Sequence, residues 1–332
     1  MRAWLMDSYE GIEQLRLGDV PDPQPGPNDV LLRVKLAALN PADAFLAQGQ
    51  YPAKPPLPHI LGRDAVGEVL TMGSKVVHVH VDQTVGVLRC DVGVEVWGTL
   101  AEKVVVPASS LIGVPDGWTL EETAAAPLVF LTAWQALTQW SDPPALPPER
   151  TVLLVTGASG GVGVASVLLG HSLGLTVLAL SRSAEKRRRL IALGARHVFD
   201  PADRNVASHI LSTISPQKVD LVIDTVGGPM FREIVATLGY RGRISVVGRS
   251  GGVVPEFNTA SLFFRRNRIG GVAVGDYTTE AAQAAWREIV ARLDAIKKRP
   301  VVDSTFGFDD VRKAFARLAE GPMGKVLIRG VV

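Results

Sequence analysis

Two rhythms of hydrophobic and polar positions divide the chain. Before about residue 118, short apolar runs of strand character alternate with polar, proline-rich stretches: VLLRVKLAAL (30–39), AVGEVL (65–70), QTVGVLR (83–89) and EKVVVP (102–107). Nine of the 22 prolines lie between Pro21 and Pro58. Proline removes a backbone donor and breaks helix interiors, so strands and loops are expected there. Thr119 and Glu122 have the capping-box spacing, and AAAPLVFLTAWQAL after them predicts one helix to about residue 139. SDPPALPPE (141–149) predicts a rigid polar turn.

From Arg150 the rhythm changes, and no proline occurs again before Pro201. TVLLVTG, LTVLALS, RHVFD, VDLVIDTVG, GRISVVG and NRIGGVAVG are strand candidates with helical patterns between them. A spacing of ~15–25 residues suits a doubly wound parallel α/β sheet of six strands. The helical TEAAQAAWREIVARLDAIKK then precedes VVDSTFGF and KVLIRG. These last strands are expected to return to the first domain, because a lone strand needs a sheet to complete it.

Residues 151–181 carry no Asp, Glu, Lys or Arg, long enough to resemble a membrane span. A buried strand, a glycine-rich turn, a helix and a second buried strand explain the missing charge, since a parallel sheet is covered on both faces. No membrane helix is expected. Composition agrees: of 332 residues, 47% are hydrophobic and 20% charged, enough for a sizeable core. Thirty-five Lys and Arg against 33 Asp and Glu leave +2, too balanced for a general nucleic-acid binder. One cysteine, Cys90, excludes an internal disulfide and a multi-thiolate metal site. The opening MRAWLMDSYEG has no apolar signal core, so a cytoplasmic protein is expected.

The chemistry-bearing motif is Gly157-Ala-Ser159-Gly160-Gly161-Val162-Gly163, between a predicted strand and helix. Glycines there admit a diphosphate to bare backbone, and the helix N-terminus offers free N–H donors. The same residues also fit G-x-S-x-G, the nucleophile elbow of hydrolases. A hydrolase needs a late histidine, and the last one here is His209. At the end of the next strand, Ala179-Leu180-Ser181-Arg182-Ser183-Ala184-Glu185-Lys186 lacks the strand-end acid that binds a ribose 2′-OH. Ser181, Arg182 and Lys186 instead suit a 2′-phosphate, which predicts NADPH. Arg187, Arg188 and Arg189 are expected on a solvated helix face.

Several blocks in order resemble the medium-chain dehydrogenase/reductase family, in its zinc-free quinone oxidoreductase branch. They are LNPADAFLAQGQYPAKPPLPHILGRDAVGEV (39–69), WGTLAEKVVVP (97–107), AAAPLVFLTAW (124–134), VTGASGGVG (155–163) and IDTVGG (223–228). The resemblance implies a GroES-like, β-rich catalytic domain over 1–123 and 276–332 around a Rossmann NADP-binding domain over 124–275. It implies no metal: zinc-dependent relatives have Cys where Asn40 stands and His-Glu where Arg63-Asp64 follow Gly62. His78 and His80 are read as surface strand histidines rather than ligands.

Without a Lewis acid, hydride addition to an already electrophilic carbon is the easier chemistry. The resemblance therefore implies reduction of a quinone or enone, with a 2-enoyl thioester as the alternative substrate and a non-catalytic NADPH-binding regulator as the alternative class. It points to Tyr51 as proton or hydrogen-bond donor and to Asn40 beside the substrate carbonyl, with Asp43 as a helix or turn cap. Phe45 and Trp97 would join Asn40 and Tyr51 in the substrate pocket; Phe130, Phe263 and Phe264 are further aromatic candidates. The cofactor contacts it implies are Thr132, Ser159, Gly160, Gly161, Val162, Gly227, Gly248 and Lys325. Arg265, Arg266 and Arg268 are candidates for a CoA phosphate. A homodimer through the sixth Rossmann strand is expected as the only macromolecular partnership.

Overall fold

The computed structural model describes residues 1–89, 91–142, 146–253 and 256–331. Cys90 and the centre of the 141–149 turn fall outside them. The chain forms two compact units. The first comprises residues 1–128, 275–286 and 299–332, and the second 129–274 and 287–298.

The first unit is built on a mixed seven-stranded sheet. Its long central strand, Asp29–Ala38, pairs antiparallel with Asp64–Met72, Lys103–Pro107 and the C-terminal Lys325–Arg329. Leu32, Val34, Leu39, Ile60 and Val326 pack in one apolar core beneath it. A smaller sheet, not expected from the sequence, joins Arg2–Met6 to Arg16–Asp19 and His59–Ile60. Thr119 and Glu122 do form a capping box at helix Leu120–Ala125. The single helix expected to follow is two, Leu120–Ala125 and Pro127–Thr138. Proline at 127 offers no N–H to the preceding turn, so the helix breaks there. His78 and His80 lie outside any strand, correcting that reading. His78 Nε2 sits 3.1 Å from the Ala108 carbonyl.

The second unit holds a six-stranded parallel sheet whose spatial order, in chain sequence, is 3-2-1-4-5-6. Val152–Val155 is central, flanked by Thr176–Leu180 and Val219–Asp224. Leu154, Leu178, Leu180, Val222 and Ile244 form its core. Being buried on both faces, these strands read as continuous apolar runs. The order reverses beside Val152–Val155, and the carboxyl end of that strand is where open α/β sheets of this order take ligands. Among the described residues, no helix is long and apolar enough to cross a membrane.

Candidate active site

The second unit offers a cradle made of backbone. Gly157 has φ +55°, and a Cβ there would lie 2.3 Å from Thr225 Oγ1. On Gly163 a Cβ would lie 2.3 Å from the Gly157 carbonyl. Only glycine fits either place. Gly160 is the N-cap of helix Gly161–Ser172, and no side chain among the described residues caps it. The first-turn N–H groups, including those of Gly161 and Val162, therefore keep their donors and the positive end of the helix dipole. Ser159 and Gly160 are half-buried in the turn.

Asp224, which sequence reasoning missed, anchors this cradle. It is fully buried, and Oδ1 accepts from Thr156 Oγ1 at 2.6 Å and from the Val226 amide at 3.1 Å. The Gly227 amide donates to both carboxylate oxygens at 3.2 Å. Thr225 closes the link with Oγ1 on the Thr156 carbonyl at 2.9 Å. The ends of two neighbouring strands are thereby locked, and Gly248 packs tightly against the Thr225 carbonyl.

The rim lies beyond strand Thr176–Leu180. Ser181 is buried, Arg182 is exposed, and Ser183 caps helix Ala184–Leu193 by accepting the Lys186 amide at 3.3 Å. Arg187 corrects its expected place in solvent. Its Nη1 donates to the carbonyls of Ser181 and Arg182 and to Asp200 Oδ2, each at 2.9 Å. The loop carbonyls and Asp200 converge there, and one guanidinium satisfies all three. Arg188 and Arg189 are exposed as expected. Thr132 is buried on helix Pro127–Thr138.

The first unit brings together side chains instead. Asn40 begins helix Pro41–Ala47, and its backbone N–H donates to Asp43 Oδ2 at 2.8 Å. Its amide Nδ2 donates to Asp64 Oδ2 at 2.9 Å, and its Oδ1 accepts from Lys325 Nζ at 2.6 Å. Lys325 Nζ also reaches Asp64 Oδ2 at 3.0 Å, while Asp64 Oδ1 accepts the Leu128 amide at 3.0 Å. Lys325 is only 3% exposed, so it is no surface lysine. Burial of the carboxyl pushes Asp43 up to about 6, against the opposing pull of Arg63.

Arg63 lies next to this network with its side chain 9% exposed. Its Nη1 donates to Tyr51 Oη at 3.2 Å, and its Cζ lies 4.7 Å from the centre of the Tyr51 ring. Asp43 Oδ1 faces Arg63 Nε at 3.8 Å, an ion pair too long for a hydrogen bond. Gly62 makes the turn that delivers Arg63: its φ is +98°, and a Cβ would lie 2.4 Å from Thr99 Oγ1. Phe45, Tyr51 and Trp97 are half-buried. Phe130 belongs to the core, whereas Phe263 and Phe264 are 66% and 76% exposed. Arg265 caps the carbonyls of Ala236 and Leu238, and Arg268 pairs with Asp142.

This donor set does not fit a zinc ion. The guanidinium of Arg63 and the ammonium of Lys325 occupy the cluster, and the Asn40 amide is committed to its neighbours. Zinc needs three or four converging His, Cys or carboxylate ligands. No group of three or more such residues able to hold a metal occurs among the described residues.

Two family models match. Residues 26–116 match the alcohol dehydrogenase GroES-like domain, and residues 161–294 the zinc-binding dehydrogenase family. A quinone oxidoreductase-like protein 2 homolog of Nematostella vectensis is 29% identical over 310 residues, covering 91% of this chain and 82% of that protein. A crystal structure of an NAD-dependent alcohol dehydrogenase is 29% identical, with TM-score 0.88 and full coverage of both chains. A mycobacterial protein solved with NADPH is 26% identical, with TM-score 0.88 and 99% coverage of each chain.

Proposed function

Because the chain belongs to the medium-chain dehydrogenase/reductase family and is quinone oxidoreductase-like, we propose that it is a zinc-independent, NADPH-dependent reductase of quinones or enones. The observation that carries this reading is the uncapped, glycine-lined helix N-terminus with Ser181, Arg182 and Lys186 at the following strand end. Solved relatives include both an NAD-dependent enzyme and an NADPH complex. This chain's own rim supports NADPH, because Arg182 offers a cation where an NAD site places an acid.

The residues present fit the dinucleotide. Ser159, Gly160, Gly161 and Val162 would hold its pyrophosphate, the Ser181–Lys186 rim its 2′-phosphate, and Gly227, Gly248 and Thr132 the remainder. NADPH, when bound, supplies the hydride. The electron pair displaced by hydride addition moves through the conjugated acceptor to its carbonyl oxygen. Tyr51 Oη gives that oxygen a hydrogen bond and then a proton, which water replaces. Phe45 and Trp97 supply apolar walls that strengthen this bond by excluding water. Asn40, held by Asp64 and Lys325, keeps the polar floor rigid. An acceptor made electrophilic by conjugation suits this set. An alcohol, whose hydroxyl needs a Lewis acid, does not.

The strand Arg268–Gly271 ends its sheet, with Ile269 39% exposed. An open edge of this kind invites a second copy, which supports a homodimer through it, measurable by light scattering. The single cysteine suits a reducing, cytoplasmic setting.

The test is NADPH oxidation against menadione, an enone and crotonyl-CoA. Turnover of the quinone or enone is expected to exceed that of the thioester. Preference for crotonyl-CoA would make it an enoyl-thioester reductase, and NADPH binding without turnover a regulator.

A further inference from the structure

Arg63 has no role in the reading above, yet it is the most unusual charge in the first unit. Its side chain is nine-tenths buried, and two of its nitrogens, Nε and Nη2, make no hydrogen bond among the described residues. A guanidinium is costly to remove from water, and it normally satisfies as many of its five donors as it can. Among the described residues, the one hydrogen bond between its guanidinium and another side chain goes to Tyr51 Oη. The guanidinium carbon also lies 4.7 Å from the centre of the same ring, a cation–π contact that adds to the hydrogen bond. Asp43 stands behind it, also buried, with Oδ1 unbonded. Arg63 thus links the other two groups, through Nε toward Asp43 and through Nη1 to Tyr51.

We infer that Arg63 is a positioning residue for the Tyr51 phenol. Its Nη1–H occupies an acceptor lone pair of Tyr51 Oη, so the phenol hydrogen is left to point away, toward an acceptor. Held this way, the phenol gives up its O–H bond to the substrate oxygen while the charge left on Oη is met by a fixed cation. Water restores the proton afterwards. Asp43 sets the guanidinium in place from the other side. The inference rests on the proposed donor role of Tyr51, and it adds the device that aims that donor.

A charge-assisted hydrogen bond of this kind is worth about 10- to 100-fold in rate when it strengthens toward the transition state. Arg63→Gln is therefore expected to lower kcat about 10- to 100-fold with NADPH and the fastest acceptor, and to leave the KM for NADPH unchanged. Arg63→Lys, which keeps the charge but loses the fork, is expected to recover part of the loss. In a Tyr51→Phe background, Arg63→Gln should cost less than about twofold more, because the oxygen it serves is gone. Should Arg63→Gln fail to fold, Arg63→Gln/Asp43→Asn removes both buried charges and gives the same comparison.

A second readout needs no turnover. The chain has four tyrosines. In fluorotyrosine-labelled protein, the resonance that Tyr51→Phe removes is expected to move on Arg63→Lys. An unmoved resonance, or equal rate losses from Arg63→Gln in both backgrounds with Tyr51→Phe itself slow, overturns the inference alone. Wild-type turnover by Tyr51→Phe overturns the donor role, and the inference with it.

Discussion

The two units build their sites from different materials. In the second, the cradle is mainly backbone: amide N–H groups, carbonyls and glycines within seven residues of one another, Gly157 to Gly163. In the first, the cluster is side chains brought from far apart, Lys325 meeting Asn40 across 285 residues of chain. A backbone site tolerates change wherever no Cβ intrudes. A side-chain network of buried charges depends on every member, since removing one leaves another unpaired.

That difference sets the size of each mutational effect. Lys325→Met strips the buried Asp64 carboxylate of its cation and Asn40 of a donor. A loss of about 3–5 kcal/mol of stability is expected, visible as a lowered thermal midpoint. A change below about 1 kcal/mol would mean that the network carries little of the fold.

The next effect depends on pH. The Asp43 carboxyl is raised by burial from 3.8 to about 6, so the folded protein holds that proton more tightly than the unfolded chain. Its stabilising contribution is full below about pH 4 and fades as pH rises through 6. The stability of wild type minus that of Asp43→Asn is therefore expected to fall, by at most about 3 kcal/mol, between pH 4 and 7. A difference that stays flat or rises would contradict the burial of Asp43.

The smallest effect belongs to the rim. Arg187→Ala frees the Ser181 and Arg182 carbonyls and leaves Asp200 without its cation. NADPH affinity is expected to weaken about tenfold, more than NADH affinity, as a charge-assisted clasp of this kind implies. Equal losses for both would show that the clasp supports the fold and not the choice of phosphate.

The same contrast decides how much was readable in the sequence. Each parallel strand announces itself locally as an apolar run between turn residues, so all six appear where expected, as do the glycine turn and the Thr119–Glu122 capping box. Pro127 divided an expected helix because apolar periodicity outweighed one missing N–H in that reading. VVHVHV alternates like a strand, yet no neighbour among the described residues pairs with it and it remains loop. Arg187 in RRR looks like any basic helix face, and only the convergence of Asp200 and two carbonyls gives it work. Asp64, Lys325 and Arg63 were visible as residues, but their meeting depends on antiparallel pairing of Asp29–Ala38 with both Asp64–Met72 and Lys325–Arg329. The acid that ends LVID was the one signal that could have revealed Asp224, because an Asp directly after three apolar strand residues needs partners.

Titration calorimetry of the wild-type chain and Arg182→Ala with NADPH and with NADH tests the central claim most directly. Wild type should bind NADPH at least about tenfold more tightly than NADH, with Arg182→Ala abolishing most of that preference. No heat with either nucleotide, or tighter binding of NADH by wild type, would contradict it.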